Sequence, residues 1–320
     1  TTAYILRRRA AAVFDRIIVP VDFSEGSRSA FGHGAAFAQA FGSVLELVHV
    51  VQHVGQTHPA FWTTEPALAG ELHRQALTLA ETSMQQLLPH LPATSGVQLQ
   101  TRILSGSLPG TLSEHAAETH AGLLVVASHG RTGISRWLLG SVSERLLRSA
   151  PCPVLIVRGG SASDHPRLRR VLVAVDLSEH SRHALEVAGK VASGFGAALE
   201  VLYVWAAPFY DAAEHFDADL FERIRQSARA ELDAFVASAG LPPDVAVSVS
   251  IASGTPAQKL GERLQADAPD LLVLGSHGHG GFKRLILGSV AETTVRYASC
   301  AALVVPKLPA ESSRPSQPHF

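Results

Sequence analysis

An internal duplication restricts the fold of this sequence more than any other feature. Leu123–Ser141 reads LLVVASHGRTGISRWLLGS, and Leu271–Ser289 reads LLVLGSHGHGGFKRLILGS. The elements Leu-Leu-Val, Ser-His-Gly and Leu-Gly-Ser recur in both segments at one constant spacing. A period close to half of a 320-residue chain predicts two whole domains rather than a solenoid of short repeats.

The duplication extends to both sides of these segments. Arg16–Ser24 (RIIVPVDFS) matches Arg170–Ser178 (RVLVAVDLS), which makes Asp22 the mate of Asp176. Two more pairs match: LELVHV of Leu45–Val50 with LEVLYV of Leu199–Val204, and APCPVLIV of Ala150–Val157 with ASCAALVV of Ala298–Val305. We therefore predict a first domain over 14–158, a polar linker over 159–169, a second domain over 170–307 and a disordered tail over 308–320.

Each half alternates strand patterns with helix patterns five times. Apolar runs such as Leu271–Leu274 have no polar face, which is typical of strands buried on both sides. This alternation predicts a doubly wound α/β fold, a parallel sheet with helices on both faces. Ligands bind such sheets beyond the carboxyl ends of the strands, where the strand order reverses. If strands one and four are neighbours, Asp22 and the first glycine loop meet there, as do Asp176 and the second loop.

Composition excludes several classes of partner. The net charge of −1 gives no electrostatic case for nucleic acid, and no apolar run approaches the ~20 residues of a membrane span. Only short apolar stretches flank Arg7–Arg9, so we expect a solvated arm there rather than a secretory leader. Cys152 and Cys300 are repeat mates without metal-ligand spacing; we expect buried reduced thiols and a cytoplasmic location.

The glycine pattern of the second half predicts a phosphate site. Gly275 and Gly278 follow a strand, and Gly288-Ser289 begins a helix after nine further residues. Glycine lets backbone amides approach a ligand closely, and a helix start adds free N–H groups and a positive dipole end. The alternative is a tight turn that needs glycine only for its backbone angles. Asp22 and Asp176 are likewise either ligand contacts or carboxylates favoured by a helix N-terminus.

These motifs resemble the universal stress protein family in a tandem form. The family signature, Gly, two residues, Gly, nine residues and Gly-Ser/Thr, is complete in the second half. The first half has Gly130, Gly140 and Ser141 but Ala127 in place of the first glycine, so weaker binding is expected there. The resemblance implies five-stranded sheets of order 3-2-1-4-5, ATP with Mg²⁺ held mainly by its phosphates, pairing of strand five from each half across a pseudo-two-fold axis, and a homodimer.

The resemblance also implies the site residues. Asp22 and Val50, with their mates Asp176 and Val204, would hold the adenosine end, and the backbone of Val21 or Val175 would read the adenine edge. The predicted nucleotide contacts of the first half are Pro20, Val21, Asp22, Val50, Ala127, His129, Gly130, Arg131, Gly140, Ser141, Val142 and Ser143. Those of the second half are Ala174, Val175, Asp176, Val204, Gly275, His277, Gly278, Gly288, Ser289 and Val290.

Catalysis is not predicted. His129 and His277 lie between glycines, which favours backbone contact with phosphate over acid–base chemistry. Arg131 is suited to pair with a phosphate, the alternative being a solvated loop. No Ser-His-Asp or paired-carboxylate arrangement indicates a hydrolase, and both a Walker A lysine motif and a GxGxxG after strand one are missing.

Three functions are compatible with this reading. The first is a stress protein that binds ATP, turns it over slowly at most, and regulates an unidentified partner. The second is a scaffold whose clefts bind no nucleotide and whose duplicated fold serves assembly or dimerisation. The third is an adenylating enzyme, which ranks last because the sequence shows no second active-site motif.

Overall fold

The computed structural model describes residues 14–52, 66–92, 94–128, 139–158, 166–205, 218–278 and 288–307. His129, Gly130 and Arg131 lie outside these ranges, as do most of the predicted linker and the predicted tail over 308–320. Each half follows the predicted alternation of strand and helix. No helix within the described ranges combines the length and the apolarity needed to cross a membrane.

The two halves contain the same series of elements. In the first half these are β1 (Arg16–Pro20), α1 (Glu25–Phe41), β2 (Val44–Val51), α2 (Pro66–Leu87), β3 (Gln98–Ser105), α3 (Leu108–Glu118), β4 (Leu123–Ala127), α4 (Ser141–Ser149) and β5 (Val154–Val157), with a 3-10 turn at Leu88–His90. In the second half they are β6 (Arg170–Val175), α5 (Glu179–Phe195), β7 (Ala198–Trp205), α6 (Ala218–Ser238), β8 (Val247–Ser253), α7 (Pro256–Ala266), β9 (Leu271–Gly275), α8 (Ser289–Tyr297) and β10 (Ala301–Val305).

All ten strands form one sheet, in the order β3-β2-β1-β4-β5-β10-β9-β6-β7-β8. Each half has the predicted order 3-2-1-4-5, and its strands are parallel. The halves join through β5 and β10, which pair antiparallel with Leu303 opposite Leu155. The predicted pairing of the two fifth strands is therefore present within the chain, and it makes the two five-stranded sheets continuous.

Helices cover both faces of the sheet and enclose two apolar layers. Helices α1, α2, α5 and α6 pack on one face, where the buried layer includes Phe31, Met84, Leu185 and Leu232. Helices α3, α4, α7 and α8 cover the other face, where Leu112, Leu146 and Leu260 are fully or almost fully buried. Strand residues alternate between the two layers, so the strands are buried on both sides, as their uninterrupted apolar runs predicted.

Local signals fix the ends of α1 and α5. The Ser24 hydroxyl accepts the N–H of Ser27 at the start of α1, and Ser178 caps α5 in the same way. Gly42 and Gly196 end these helices with φ of 69° and 65°, a left-handed conformation that glycine adopts without strain. Serine before and glycine after each helix were readable in the sequence.

Two strands begin later than their sequence pattern suggested. The apolar pattern predicts strands over about Val97–Leu104 and about Val245–Ile251, whereas β3 begins at Gln98 and β8 at Val247. The N–H of Val97 donates to the Thr94 carbonyl, and that of Val245 to the Pro242 carbonyl. Both valines are therefore held in turns before the strand ladder begins.

Side chains also bind the halves together on both faces of the sheet. Phe37 of α1 meets Phe195 of α5 edge to face, with ring centroids 4.9 Å apart. A Cβ on Gly194 would lie 2.5 Å from the Phe41 ring, so this close approach of α1 and α5 requires glycine. On the opposite face, the guanidinium of Arg158 donates to the carbonyls that end α8. The two halves therefore pack as one body.

Candidate functional site

The predicted crevice of the second half forms where β6 and β9 end. These strands are neighbours, with Ala174 opposite Leu274, so Asp176 and the glycine loop emerge side by side. A Cβ placed on Gly278 would lie 2.3 Å from Asp176 Oδ2, so the carboxylate lies directly against the glycine backbone. The structure therefore brings together the aspartate and the loop that the sequence placed at separate strand ends.

One oxygen of Asp176 has a structural role. Its Oδ1 accepts the backbone N–H of Ser178 at 3.1 Å and also the Ser178 hydroxyl. Ser178 in turn accepts the N–H of Ser181 and so caps α5. The helix-start interpretation of this carboxylate is thus correct for Oδ1, while Oδ2 lies on the side of Gly278. Ligand contact by Asp176 stays a prediction.

A strained turn sets this geometry in both halves. Leu177 has φ of 64° and its mate Phe23 has φ of 65°, although neither is glycine. Bulky residues rarely adopt this left-handed conformation, which costs about 1–3 kcal/mol. It turns the chain from strand to helix so sharply that each aspartate reaches the N–H two residues ahead, Ser24 in the first half and Ser178 in the second.

Space rather than backbone angle restricts Gly275 and Gly278 of the second loop. Gly275, Gly278 and Gly288 are absent from the described glycines with positive φ, which contradicts the tight-turn alternative. A Cβ on Gly275 would lie 3.2 Å from the His277 carbonyl oxygen and 3.5 Å from that of His180. A Cβ on Gly288 would be 3.4 Å from the Ser276 carbonyl oxygen, an ordinary contact. Gly275 and Gly278 are thus the more restrictive positions.

The far side of the loop is the start of α8. The N–H of Gly288 donates to the Ser276 carbonyl at 2.8 Å, and the N–H of Ser276 donates to Val305 of β10. Gly288 is the N-cap of α8 and has no side chain to offer, so no side-chain cap hydrogen bond forms there. The first amides of α8, from Ser289 and Val290 onward, therefore begin a helix whose positive end adjoins the loop.

The first half repeats this frame. The N–H of Ser128 donates to Val157, and the N–H of Gly140 donates to the Ser128 carbonyl at 2.8 Å. Asp22 Oδ1 accepts the N–H of Ser24 at 3.0 Å. Gly140 is the N-cap of α4, which starts at Ser141 and Val142 and likewise has no side-chain cap bond. The two halves thus present the same main-chain arrangement.

Two side chains distinguish the loop starts of the halves. Ala127 stands where the second half has Gly275, and Ser143 stands where it has Ala291. The Ser143 hydroxyl is buried and donates to the Ala127 carbonyl oxygen at 2.8 Å. The first half therefore has the methyl group of Ala127 at its loop start. Ser143, a predicted nucleotide contact, already donates its hydroxyl proton to the protein's own main chain.

These features coincide with a sequence family. The sequence profile of the universal stress protein family matches residues 14–158 and again 167–306. The chain belongs to the universal stress protein family. A universal stress protein of Mycolicibacterium smegmatis is 32% identical over 293 residues, covering 90% of this chain and 96% of that protein. One from Mycobacterium tuberculosis is 31% identical over 305 residues, covering 90% and 95%.

Solved structures agree on the fold. A universal stress protein from Archaeoglobus fulgidus superposes with a TM-score of 0.58 at 21% identity, over 91% of this chain and 96% of that one. A protein described as a putative universal stress protein from Pseudomonas aeruginosa gives 0.63 at 19% identity, over 93% and 95%. The tandem α/β architecture predicted from the sequence is therefore confirmed.

The remaining predicted residues of this universal stress protein lie at the strand ends near the two aspartates. Pro20 ends β1, while Val50 and Val204 lie near the ends of β2 and β7. The main chain of Val21 is occupied within the protein: its N–H donates to Val48, and its carbonyl accepts the Nδ1–H of His49 at 2.7 Å. In the second half Val175 lies opposite Tyr203, the mate of His49.

Sequence reasoning missed three side chains near the second crevice, those of His180, Tyr203 and Lys307. His180 stands in the first turn of α5, and its ring centroid is 6.4 Å from that of His277. Burial, followed by the nearby charges of His180 and Lys307, lowers the pKa of His277. Burial, Glu231 and Asp176 raise the pKa of Tyr203. Comparing repeat mates would have shown the signal for His180, because Gly26 occupies its place in the first half.

Proposed function

We propose that this universal stress protein binds ATP, mainly in its second half, and regulates a partner according to its bound state. The contact between Gly278 and Asp176 carries the proposal. It joins a carboxylate suited to the ribose or adenine end to a backbone loop suited to phosphate, beside the uncapped start of α8.

The residues of this proposed site are those predicted for each half, from Pro20 to Ser143 and from Ala174 to Val290. Phosphates would lie along the main chain of Gly275–Gly278 and at Gly288-Ser289, and adenosine beside Asp176 and Val204. Within the described ranges, no group of three His, Cys, Asp or Glu side chains is arranged to hold a metal ion. A Mg²⁺ ion accompanying ATP would accordingly take its ligands mainly from the phosphates.

We further propose a binding role rather than a dedicated catalytic one. His277 has its Nδ1 within 2.8 Å of the Ser276 hydroxyl and lies beside a second histidine, with no carboxylate hydrogen-bonded to it among the described residues. That arrangement does not orient a general base toward a water, so turnover of ATP would be slow at most.

Compartment and assembly belong to the same proposal. Cys152 and Cys300 are free thiols, and burial raises their pKa values to about 12 and about 11. Such thiols are unreactive and fit a reducing cytoplasm. We place the domain boundaries near residues 158 and 170, and propose a homodimer of the tandem chain with a regulatory protein partner.

Identification of bound nucleotide tests the proposal directly. Protein purified without added nucleotide is denatured, and the released small molecules are identified by mass; the apo protein is then titrated with ATP by calorimetry. Release of near-stoichiometric ATP, or saturable binding of added ATP, supports the proposal. Neither release nor binding would favour the second candidate, a scaffold, which the methyl of Ala127 already favours for the first half.

A further inference from the structure

Two histidines border the glycine loop of the second half. His277 lies within the loop itself, between Gly275 and Gly278, and His180 lies in the first turn of α5. Their rings meet edge to face at 6.4 Å, and both residues are partly buried. The backbone of His180 also approaches the loop start, because its carbonyl oxygen would be 3.5 Å from a Cβ on Gly275. The two rings therefore share one corner of the crevice.

In the part of the chain that the structure describes, charged groups near this corner come from three places besides the loop. His180 belongs to α5, Lys307 follows β10, and Asp176 follows β6 beside Gly278. Burial and the charges of His180 and Lys307 disfavour the protonated form of His277 and lower its pKa. A carboxylate is present, but its Oδ1 is bound to Ser178. Among the described residues, three groups near this corner can carry positive charge, His180, His277 and Lys307, and the one neighbouring carboxylate is that of Asp176.

The first half lacks this arrangement. Gly26 replaces His180 in the first turn of α1, so this position has no side chain in the first half. Gly159 replaces Lys307, although it falls outside the described ranges. The loop histidine is present in both halves, as His129 and His277, and His129 also falls outside the described ranges. The second histidine is therefore specific to the half whose glycine signature is complete.

On the basis of the nucleotide site proposed above, we propose that His180 and His277 form a histidine pair that takes up protons when a nucleotide polyphosphate binds the second half. The pair makes the affinity for ATP rise as the pH falls and favours nucleotides with more phosphate charge over AMP. The reason is electrostatic: each phosphate near the loop amides offsets the mutual repulsion of two imidazolium rings and favours their charged forms.

Proton linkage sets the size of the effect. Each unit by which bound polyphosphate raises the pKa of a histidine corresponds to about tenfold tighter binding at pH values below both pKa values. We expect ATP to bind about threefold more tightly at pH 6 than at pH 8 for each histidine whose pKa rises by one unit, after the nucleotide's own titration is subtracted, and AMP to change much less. Loss of one ring should reduce both the pH dependence and the preference for ATP over AMP.

The test compares three full-length proteins: wild type, His180→Gln and His183→Ser. His183 lies one turn further along α5, near Glu186 at 3.7 Å, and its mate in the first half is Ser29, so His183→Ser is the matched control. Calorimetric titration with ATP and with AMP at pH 6, 7 and 8, in buffers of different ionisation enthalpy, gives the affinity and the protons taken up. Titration of the nucleotide itself is common to all three proteins and cancels in the comparison.

Proton uptake that is reduced in His180→Gln but retained in His183→Ser, with a smaller preference for ATP over AMP, supports the proposal. ATP binding with equal proton uptake in all three proteins overturns the histidine pair and leaves the nucleotide site standing. Failure of wild type to bind ATP at any of these pH values overturns both. Ring-proton NMR of His277 with and without ATP gives a second readout, since its pKa must rise on binding.

Discussion

The two halves of the chain share a main-chain frame and differ in the side chains placed on it. Both have a strained residue after the first strand, an aspartate bound to the helix start, and a glycine N-cap closing the loop. Only the second half has a glycine, Gly275, at the loop start and a histidine, His180, in the helix that follows its first strand. The first half instead has Ala127, bound by Ser143. The two halves thus share the geometry of the main chain and differ in the side chains that border the crevice.

At the opposite edge of the sheet, near the starts of β2 and β7, the first half has the more elaborate side-chain arrangement. Glu46 is 1% exposed and binds Arg16, Arg102 and His115, whereas its mate Glu200 is 24% exposed in a pair with Arg263. Burial alone would raise the pKa of Glu46, but hydrogen bonds from Arg102, His115 and Arg16 outweigh it and lower the pKa. The first half therefore has the more buried ion network, and the second half has the complete glycine signature.

The largest expected effect tests that ion network. Glu46→Ala should lower the free energy of unfolding by about 3 kcal/mol, because it removes the buried carboxylate that accepts hydrogen bonds from Arg16, Arg102 and His115. Glu200→Ala, at the equivalent position, should cost only about 1 kcal/mol, because Arg263 remains partly hydrated. Urea unfolding followed by circular dichroism measures both. Equal losses would show that the contrast in burial does not govern stability.

The next effect concerns the glycine contact of the second half. Gly278→Val should weaken ATP binding by at least about tenfold, because the new side chain would displace the Asp176 carboxylate. Gly261→Ala in α7 is the control, since a Cβ there meets nothing within 4 Å. Calorimetry measures binding, and far-UV circular dichroism checks the fold. Unchanged affinity in Gly278→Val would place the nucleotide elsewhere. Gly288→Ala should leave the fold intact, because its Cβ makes only an ordinary contact with protein atoms.

Exchanging the loop starts sharpens the comparison of the halves. Gly275→Ala should weaken ATP binding by about 1 kcal/mol, roughly fivefold, since its Cβ is held 3.2 Å from the His277 carbonyl. Ala127→Gly combined with Ser143→Ala should strengthen binding in the first half and raise the number of nucleotides bound per chain. Ser143→Ala alone serves as the control for the lost hydrogen bond. No change in either half would mean that the methyl group is not what separates them.

The smallest effect is a pH dependence of stability that comes from one buried histidine of the first half, His33. His33 is 6% exposed and bonds the Ser29 carbonyl, and burial lowers its pKa, whereas its mate is Val187. The folded protein favours neutral His33, so its stability is retained above the usual histidine pKa of about 6.5 and lost as the pH falls below it. His33→Val should reduce this loss between pH 7 and pH 5, measured by urea unfolding at each pH. An unaltered slope would show that other groups control it.

Sequence patterns predicted the local structure well where one short stretch contains its own signal. Ser24 and Gly42 correctly predicted where α1 begins and ends, and the apolar run Leu271–Leu274 correctly predicted β9. Starts at Val97 and Val245 were predicted too early, because an apolar residue in a turn has the same pattern as one in a strand. The glycine signature predicted the loop but not why glycine is needed: the contact of Gly278 with Asp176 joins residues about a hundred positions apart.

By itself the sequence determined the duplication, the alternation of strand and helix, and the family. Those properties can be predicted from hydrophobic periodicity, helix caps and motif spacing, without information on long-range contacts. The family resemblance also implied that the two fifth strands pair. Only the tertiary structure decided the register of β5 on β10, the burial of Glu46 among three partners, and the approach of His180 to His277. The physical reason is that packing brings these groups together across large separations in sequence. A local sequence pattern does not indicate which distant residue a side chain will contact.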